Sequence, residues 1–307
     1  NYRPGTLAKL GFDFEQVNAR HPHLVYGSIT GFGRSGPYRD RAGFDLIAQG
    51  MSGIMSVTGE GPERPPVKCG VPLTDITAGI LLAMGVLAAV YARARTGKGQ
   101  LVDTSLLEAG IVHTYWHSAI AFATGVSPGP LGTGHPLGAP YQAFPTKDGR
   151  ITLGTASEAN WLRFTEALEA PELATDPRFK NVGGRLANLP ALVARLDAIF
   201  VTRTTAEWLD RLEKAGVPAG PILSVGAMHA DPHVRERGMV ATVDHPVAGR
   251  VETVGPPVKF SATPARVARA APLLGQHTRE VLAEYGFTAA EIAGLAACGA
   301  IAGPDLS

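Results

Sequence analysis

The chain has 307 residues, 45% hydrophobic and 18% charged, with a formal net charge of +1. That composition belongs to a folded globular protein rather than a disordered one, and the length is enough for two domains. The small net charge argues against a basic surface for nucleic acid. The two cysteines, Cys69 and Cys298, form no CxxC or zinc pattern and fit free thiols in a reducing, cytoplasmic setting.

Residues 1–5 read as a turn, followed by a short helix over 6–10 that Gly11 stops and a second helix over 14–19. Residues 23–30, His-Leu-Val-Tyr-Gly-Ser-Ile-Thr, read as a strand. The next six, Gly31-Phe-Gly33-Arg-Ser-Gly36, match G-x-G-x-x-G. The dinucleotide fingerprint needs a helix to open within those glycines, and here Pro37, Tyr38 and Arg39-Asp40-Arg41 follow instead. The nucleotide reading is set aside, while a basic glycine loop beside a phosphate stays open. A helix carrying the polar Gln49 is expected over 44–55, then an exposed loop over 58–66.

The stretch 68–105 organises the chain. A Gly/Pro-rich approach ends at Thr74 and Asp75, and an almost uncharged run follows over 76–91. Arg93, Arg95 and Lys98 come next, with a Gly97/Gly99 turn and the strand-like Gln-Leu-Val-Asp-Thr-Ser. The pattern predicts a loop, a buried helix, a tight turn and a strand. Thr74 or Asp75 would be the N-cap, and the basic last turn suits the negative end of the helix dipole. A carboxylate at that helix start would meet unpaired N–H groups that favour its ionised form. The apolar run is shorter than a typical membrane span, so a core helix and no membrane is the expectation. Asp75 admits two readings on spacing alone, a helix cap and a catalytic carboxylate.

A further helix is expected over 106–123. It carries His113 and His117 at i, i+4, a spacing that suits zinc, but no third ligand or intervening Glu accompanies them; packing histidines and no metal are expected. Residues 125–140 are the densest in Gly and Pro, a linker or a mobile active-site loop. Hairpins follow over 141–144/150–154 and 239–246/250–254. Helices are expected near 158–169, 190–200, 204–215 and 278–285, with a strand or turn over 218–225. Trp161 and Phe164 at i, i+3 read as core packing. The order is α/β at first and α+β later.

Taken together, residues 1–5, the loop 31–37, Gly43-Phe-Asp-Leu with Gln49, the Asp75 segment, Arg95-Thr-Gly-Lys-Gly-Gln, 141–144 with Asp148-Gly149, and Pro272-Leu-Leu-Gly-Gln-His-Thr resemble the family III CoA-transferases. These are relatives of the formyl-CoA, carnitine and bile-acid enzymes, and the resemblance covers nearly the whole chain. It implies transfer of CoA from an acyl-CoA donor to a carboxylic acid, with Asp75 as nucleophile passing through a mixed anhydride and an aspartyl-CoA thioester. Coenzyme A is then a co-substrate, and no cofactor is bound permanently. The CoA-binding positions fall on Asn1, Tyr2, Arg3, Lys9 and the turn Arg41, Ala42, Gly43, Phe44 and Asp45. For Lys9 and Arg41, ordinary solvated charges are the alternative. The glycine loop of the family falls near Gly132, Gly134 and Gly138, in a sequence that differs from the formyl-CoA enzymes.

The implied architecture is a Rossmann-like large α/β domain with a smaller α+β domain inserted, and family members are interlocked homodimers. The segments expected are 1–125 for the first part of the large domain, 126–230 for the small one and 231–307 for the return. Family members carry further chain ahead of the position of Asn1, forming the first strands of the sheet, so the large domain is expected to be truncated here. Two rivals stand beside the transferase. An α-methylacyl-CoA racemase shares the fold but uses a histidine in a Gly-His-Asp motif, which here reads Gly43-Phe44-Asp45, and Phe cannot move a proton. The other rival is a non-catalytic CoA-binding fragment.

Overall fold

The computed structural model describes residues 1–155 and 157–304. The chain divides into two compact units, Asn1–Pro221 and Ile222–Ser307.

The first unit opens with α1 (Thr6–Lys9) and α2 (Phe14–Arg20). A capping box closes the start of α2: the Asp13 carboxylate accepts from the Gln16 N–H while the Gln16 side chain accepts from the Asp13 N–H. Strand β1 (Tyr26–Thr30) is shorter than its hydrophobic run. The helices α3 (Asp45–Met51), α4 (Ile54–Val57) and α5 (Leu73–Thr96) lead to β2 (Leu101–Ser105), which lies parallel to β1 with Tyr26 opposite Leu101 and Thr30 opposite Ser105. The helix expected over 44–55 is broken at Gly53, whose φ of 89° only glycine adopts cheaply. The helix expected over 106–123 is also two, α6 (Leu106–His113) and α7 (Tyr115–Thr124), divided at Thr114, whose hydroxyl donates back to the Ile111 carbonyl.

Helix α5 departs from expectation at its start and on its surface. Its N-cap is Pro72, which makes no side-chain cap, so Thr74 and Asp75 lie inside the first turn. Only Thr74, Ala78 and Ala89 are buried along its length. One face meets the sheet, with Leu82 and Val86 against Gly27 and Gly85 against Val102. The stripe Ile76, Ile80, Met84, Leu87 and Tyr91 is exposed. By length and composition alone the helix could cross a membrane. The reason the burial expectation failed is physical: an all-round apolar helix needs cover on every side, and the described elements supply one side.

Three helices converge at the start of α5. A small core of Ala48, Ala78, Leu106 and Ala109 joins α3, α5 and α6. The closest approach is at Gly110, where a Cβ would fall 2.6 Å from the Ser52 Cβ and 2.5 Å from its Oγ.

Farther along, β3 (Tyr141–Pro145), β4 (Arg150–Gly154), α8 (Glu158–Ala167), α9 (Glu172–Thr175), α10 (Val182–Ala187), α11 (Leu189–Phe200), α12 (Thr205–Lys214) and β5 (Ala219–Pro221) form an α+β body around an antiparallel sheet of order β3-β4-β5. Trp161 and Phe164 are in its core, as their spacing predicts, together with Phe144, Phe200 and Trp208. Arg185 is buried yet satisfied: it donates to the carbonyls of Ala139 and Phe179 and pairs with Glu158.

The second unit holds α13 (Val225–Ala230), α14 (Pro232–Glu236), the hairpin β6 (Val240–His245) and β7 (Gly249–Val254), α15 (Thr278–Glu284) and α16 (Ala289–Ala297). The sequence reading passed over α16, although Thr288 and Glu291 spell the capping box that starts it. The last three residues of the expected 231–307 segment lie outside the described residues.

The Gly110 contact sets a test of this packing. Ala would gain about 1 kcal/mol of helix propensity at an unconstrained site. Here Gly110→Ala is expected to lower stability by about 1–3 kcal/mol through overpacking, because the Ser52 Cβ is fixed to its backbone and no rotamer relieves it. Urea unfolding of Gly110→Ala and of Gly110→Ala/Ser52→Gly measures this, with the second change expected to recover part of the loss.

Candidate active site

The site is built from the start of α5. Its first-turn N–H groups have no helical partner, and the cap comes from another helix. The Asp45 carboxylate on α3 accepts from the Thr74 N–H at 2.9 Å and from the Thr74 hydroxyl at 2.8 Å through the same oxygen. Its other oxygen accepts from Gln49 Nε2 at 2.7 Å. Gln49, fully buried, also accepts from the Cys69 N–H at 2.8 Å and donates to the Val71 carbonyl. One carboxamide thus ties the cap to the loop that delivers Asp75.

Asp75 itself is exposed, and its carboxylate has no hydrogen-bond or ion-pair partner among the described residues. Desolvation by surrounding atoms and then the negative charge of Asp45 push its pKa above the ordinary value. The sequence had favoured the opposite direction through the helix N–H groups. The Asp45 carboxylate takes the Thr74 N–H instead, and its like charge acts on Asp75. At Asp45, desolvation is outweighed by the hydrogen bonds from Thr74 and Gln49, which hold its pKa down. Two residues after Asp75, the Thr77 hydroxyl lies 2.7 Å from His113 Nε2 on α6. His113 and His117, expected on one helix, therefore sit on two.

A separate cavity of about 370 Å³ lies along β1 and the N-terminal segment. Asn1, Tyr2 and Arg3 line it, with Arg34 of the glycine loop, Arg39 just after it, and Asp13 and Asp40. The Arg34 N–H donates to Asp103 on β2, and the Gly33 N–H donates to the Thr30 hydroxyl, so the loop is fixed to the carboxyl end of β1 and the middle of β2. Gly31 and Gly43 make this possible by near contact of their backbones: a Cβ on Gly31 would fall 2.8 Å from the Gly43 Cα. The structure brings Asn1, Tyr2 and Arg3 together at the cavity and leaves Lys9, Arg41, Ala42, Gly43, Phe44, Asp45 and Asp75 off its lining. The Arg41 guanidinium lies 4.0 Å from the centre of the Tyr38 ring, and Phe44 is 75% exposed. The sequence reading named neither Arg34 nor Arg39 as a site residue; the signal was the cluster of arginines in a glycine loop after a strand.

The glycine segment after α7 is anchored at both ends. The Gly132 N–H donates to the Gly59 carbonyl at 2.8 Å, and the Ala139 carbonyl accepts from Arg185 at 2.7 Å. Between them, the Thr133 hydroxyl accepts from the Ala143 N–H. The His135 ring packs edge-on against Trp116 of α7 and at a tilt against Tyr141 of β3.

The model of CoA-transferase family III matches residues 1–278. The chain belongs to that family. It is 37% identical over 284 residues to succinyl-CoA:glutarate CoA-transferase of Mus musculus, covering 92% of this chain and 65% of that protein. With acetyl-CoA:oxalate CoA-transferase of Acetobacter aceti it shares 38% over 263 residues, covering 85% and 66%. Among solved structures, a CaiB/BaiF family protein from Brucella suis superposes with a TM-score of 0.78 at 38% identity, covering 92% of this chain and 74% of that one. The mixed α/β fold is the one those structures have. The chain spans about two thirds of the length of these curated relatives, 65% of the mouse enzyme.

For a family III chain, the glycines at 132 and 138 have separable demands. Gly132 has φ of 61°, where a Cβ costs about 1–2 kcal/mol. A Cβ at Gly138 would meet only ordinary contacts, 3.7 Å from His135 Nδ1 and 3.9 Å from the Tyr141 Cβ. Gly132→Ala is expected to lower the thermal midpoint measurably and Gly138→Ala to leave it within about 1 °C, as read by differential scanning fluorimetry; the 1–2 kcal/mol cost sets that contrast.

Proposed function

We propose that this protein transfers CoA between carboxylic acids, with Asp75 as the nucleophile. The observation that carries the reading is the position of Asp75: an exposed carboxylate without a partner among the described residues, in the first turn of a helix whose cap another residue supplies. A carboxylate oxygen of Asp75 attacks the thioester carbonyl of the donor. The C–S bond breaks, its electron pair leaves on sulfur as CoA thiolate, and an acyl-aspartyl anhydride remains. The thiolate then attacks the aspartyl carbonyl, so the donor acid leaves as its carboxylate and an aspartyl-CoA thioester is left. The acceptor carboxylate attacks that thioester and expels the thiolate, which closes the cycle on the acceptor's acyl carbonyl and frees Asp75. Dividing the exchange in this way replaces one hard step with feasible ones.

The substrates we assign are short dicarboxylic acids and their CoA esters, in keeping with relatives named for glutarate, oxalate and mesaconate. Asn1, Tyr2 and Arg3, joined by Arg34 and Arg39, are placed to hold the phosphates and adenine of CoA, since guanidinium groups pair well with phosphate and Tyr offers a ring face. Lys9 and residues 41–44 remain further candidate contacts. The segment bearing Gly132, Gly134 and Gly138 shields the anhydride from water in this reading. The large domain belongs to a Rossmann-like sheet with the small domain inserted over 126–230. The exposed stripe of α5 is covered in an interlocked homodimer that works in the cytoplasm, away from membrane and nucleic acid.

Two measurements test the chemistry. Asp75→Asn is expected to abolish transfer by orders of magnitude while the unfolding midpoint stays put, because the amide cannot form the anhydride and the helix cap is not its own. Near-normal transfer by this variant, with Asn confirmed by mass, would end the mechanism. Phe44, at the position of the racemase base, carries no proton. Turnover of a 2-methylacyl-CoA in deuterated water is therefore expected to leave C2 unlabelled by NMR.

A further inference from the structure

We propose that Asp45 is a positioning residue for the nucleophile helix: its carboxylate fixes the start of α5, and so the place of Asp75, instead of holding CoA. The inference rests on the reading of Asp75 as nucleophile for its catalytic consequence, though not for its structural part.

The geometry is specific. Helix α5 starts after Pro72 with no cap of its own. Thr74, fully buried, gives both its N–H and its hydroxyl to one Asp45 oxygen. Gln49 takes the other oxygen and, with its remaining amide atoms, the backbone of Cys69 and Val71. Both oxygens of Asp45 are thus committed within the protein, and the approach to Asp75 is tied at three residues before it. Charge-assisted bonds to a carboxylate are the strong kind, and removing a cap costs about 0.5–2 kcal/mol. That is enough to let the first turn fray. Nucleophilic attack is sensitive to such fraying, because a displacement of about 1 Å can cost 10²-fold in rate.

Asp45 also sets the charge that Asp75 feels. It is the like charge acting on Asp75. Of the other titratable groups on these elements, His113 is bonded to Thr77, Glu108 to Ser105 and Lys68 to the Cys69 carbonyl, while Tyr91, Arg93 and Arg95 lie at the far end of α5. Asp75 must be ionised to attack. A pKa pushed up by desolvation and further by Asp45 places the acid limb of activity at a higher pH, and loss of the Asp45 charge moves that limb part of the way down.

Three measurements on Asp45→Ala and Asp45→Asn decide the matter. In Asp45→Ala, kcat should fall by about 10- to 100-fold with the KM for acyl-CoA nearly unchanged, and amide hydrogen exchange over residues 73–76 should quicken. Asp45→Asn keeps an oxygen for Thr74 while forfeiting the charge and the Gln49 bond. It should retain more kcat than the Ala variant and carry its acid limb at lower pH than wild type. Unchanged exchange over 73–76 in both variants overturns the positioning role, as does a loss that sits wholly in KM, the mark of a CoA contact. An acid limb that stays or rises in Asp45→Asn overturns the electrostatic part. If Asp45→Ala does not fold, Asp45→Asn carries the exchange and pH arms. Exchange needs no activity, so failure of the nucleophile reading, seen in Asp75→Asn, stays distinct from failure of this one.

Discussion

The N–H groups that open α5 are the constraint on which the rest of the site depends. Proline at the cap position offers no side-chain acceptor, and buried backbone donors must be paired. The Asp45 carboxylate meets that demand from a different helix, across 29 residues of sequence. The arrangement requires α3 to lie beside α5, which the alanines of the small core permit. It also requires α6 to close behind them, which Gly110 permits by lacking a Cβ. The break at Gly53 ends α3 soon enough for its neighbours to pack there.

The same carboxylate that secures the helix opposes the charge of its neighbour. Asp45 gains enough hydrogen bonds to remain ionised against desolvation, whereas Asp75 has desolvation and Asp45 working in one direction. Two carboxylates with environments that drive their pKa values apart is a pattern that separates roles within one site. Here the oxygens of Asp45 are bonded within the protein, and those of Asp75 have no partner among the described residues. An aspartate that served as its own helix cap would have its oxygens occupied by backbone N–H groups and would be a poorer nucleophile for it.

Away from the site, the apolar stripe of α5 from Ile76 to Tyr91 stands as the largest departure from the way a core helix is usually covered. The sheet face of the same helix is well packed, with glycines at 27 and 85 giving close approach between helix and strands. The α+β body follows the opposite logic. Its aromatic core is closed, and each nitrogen of its buried guanidinium has an acceptor, so it holds the end of the glycine segment at Ala139 firmly.

Much of this was legible from residues alone. The short helices before and after Gly11, the two hairpins and the Trp161/Phe164 core follow from local patterns with short range. Family membership followed from motifs scattered over the chain, because each marks a backbone or charge requirement that survives without knowledge of contacts. The lengths of α3 and α6 were overestimated because Gly53 and Thr114 break helices through their own backbone geometry within an unbroken apolar pattern. The role of Asp45 and the direction of the Asp75 shift were not legible. Spacing can propose Thr74 or Asp75 as a cap, since both sit at a helix start. Only the tertiary structure decides that an acceptor from α3 arrives there first, because that depends on which helices share a face and how closely glycine lets them approach.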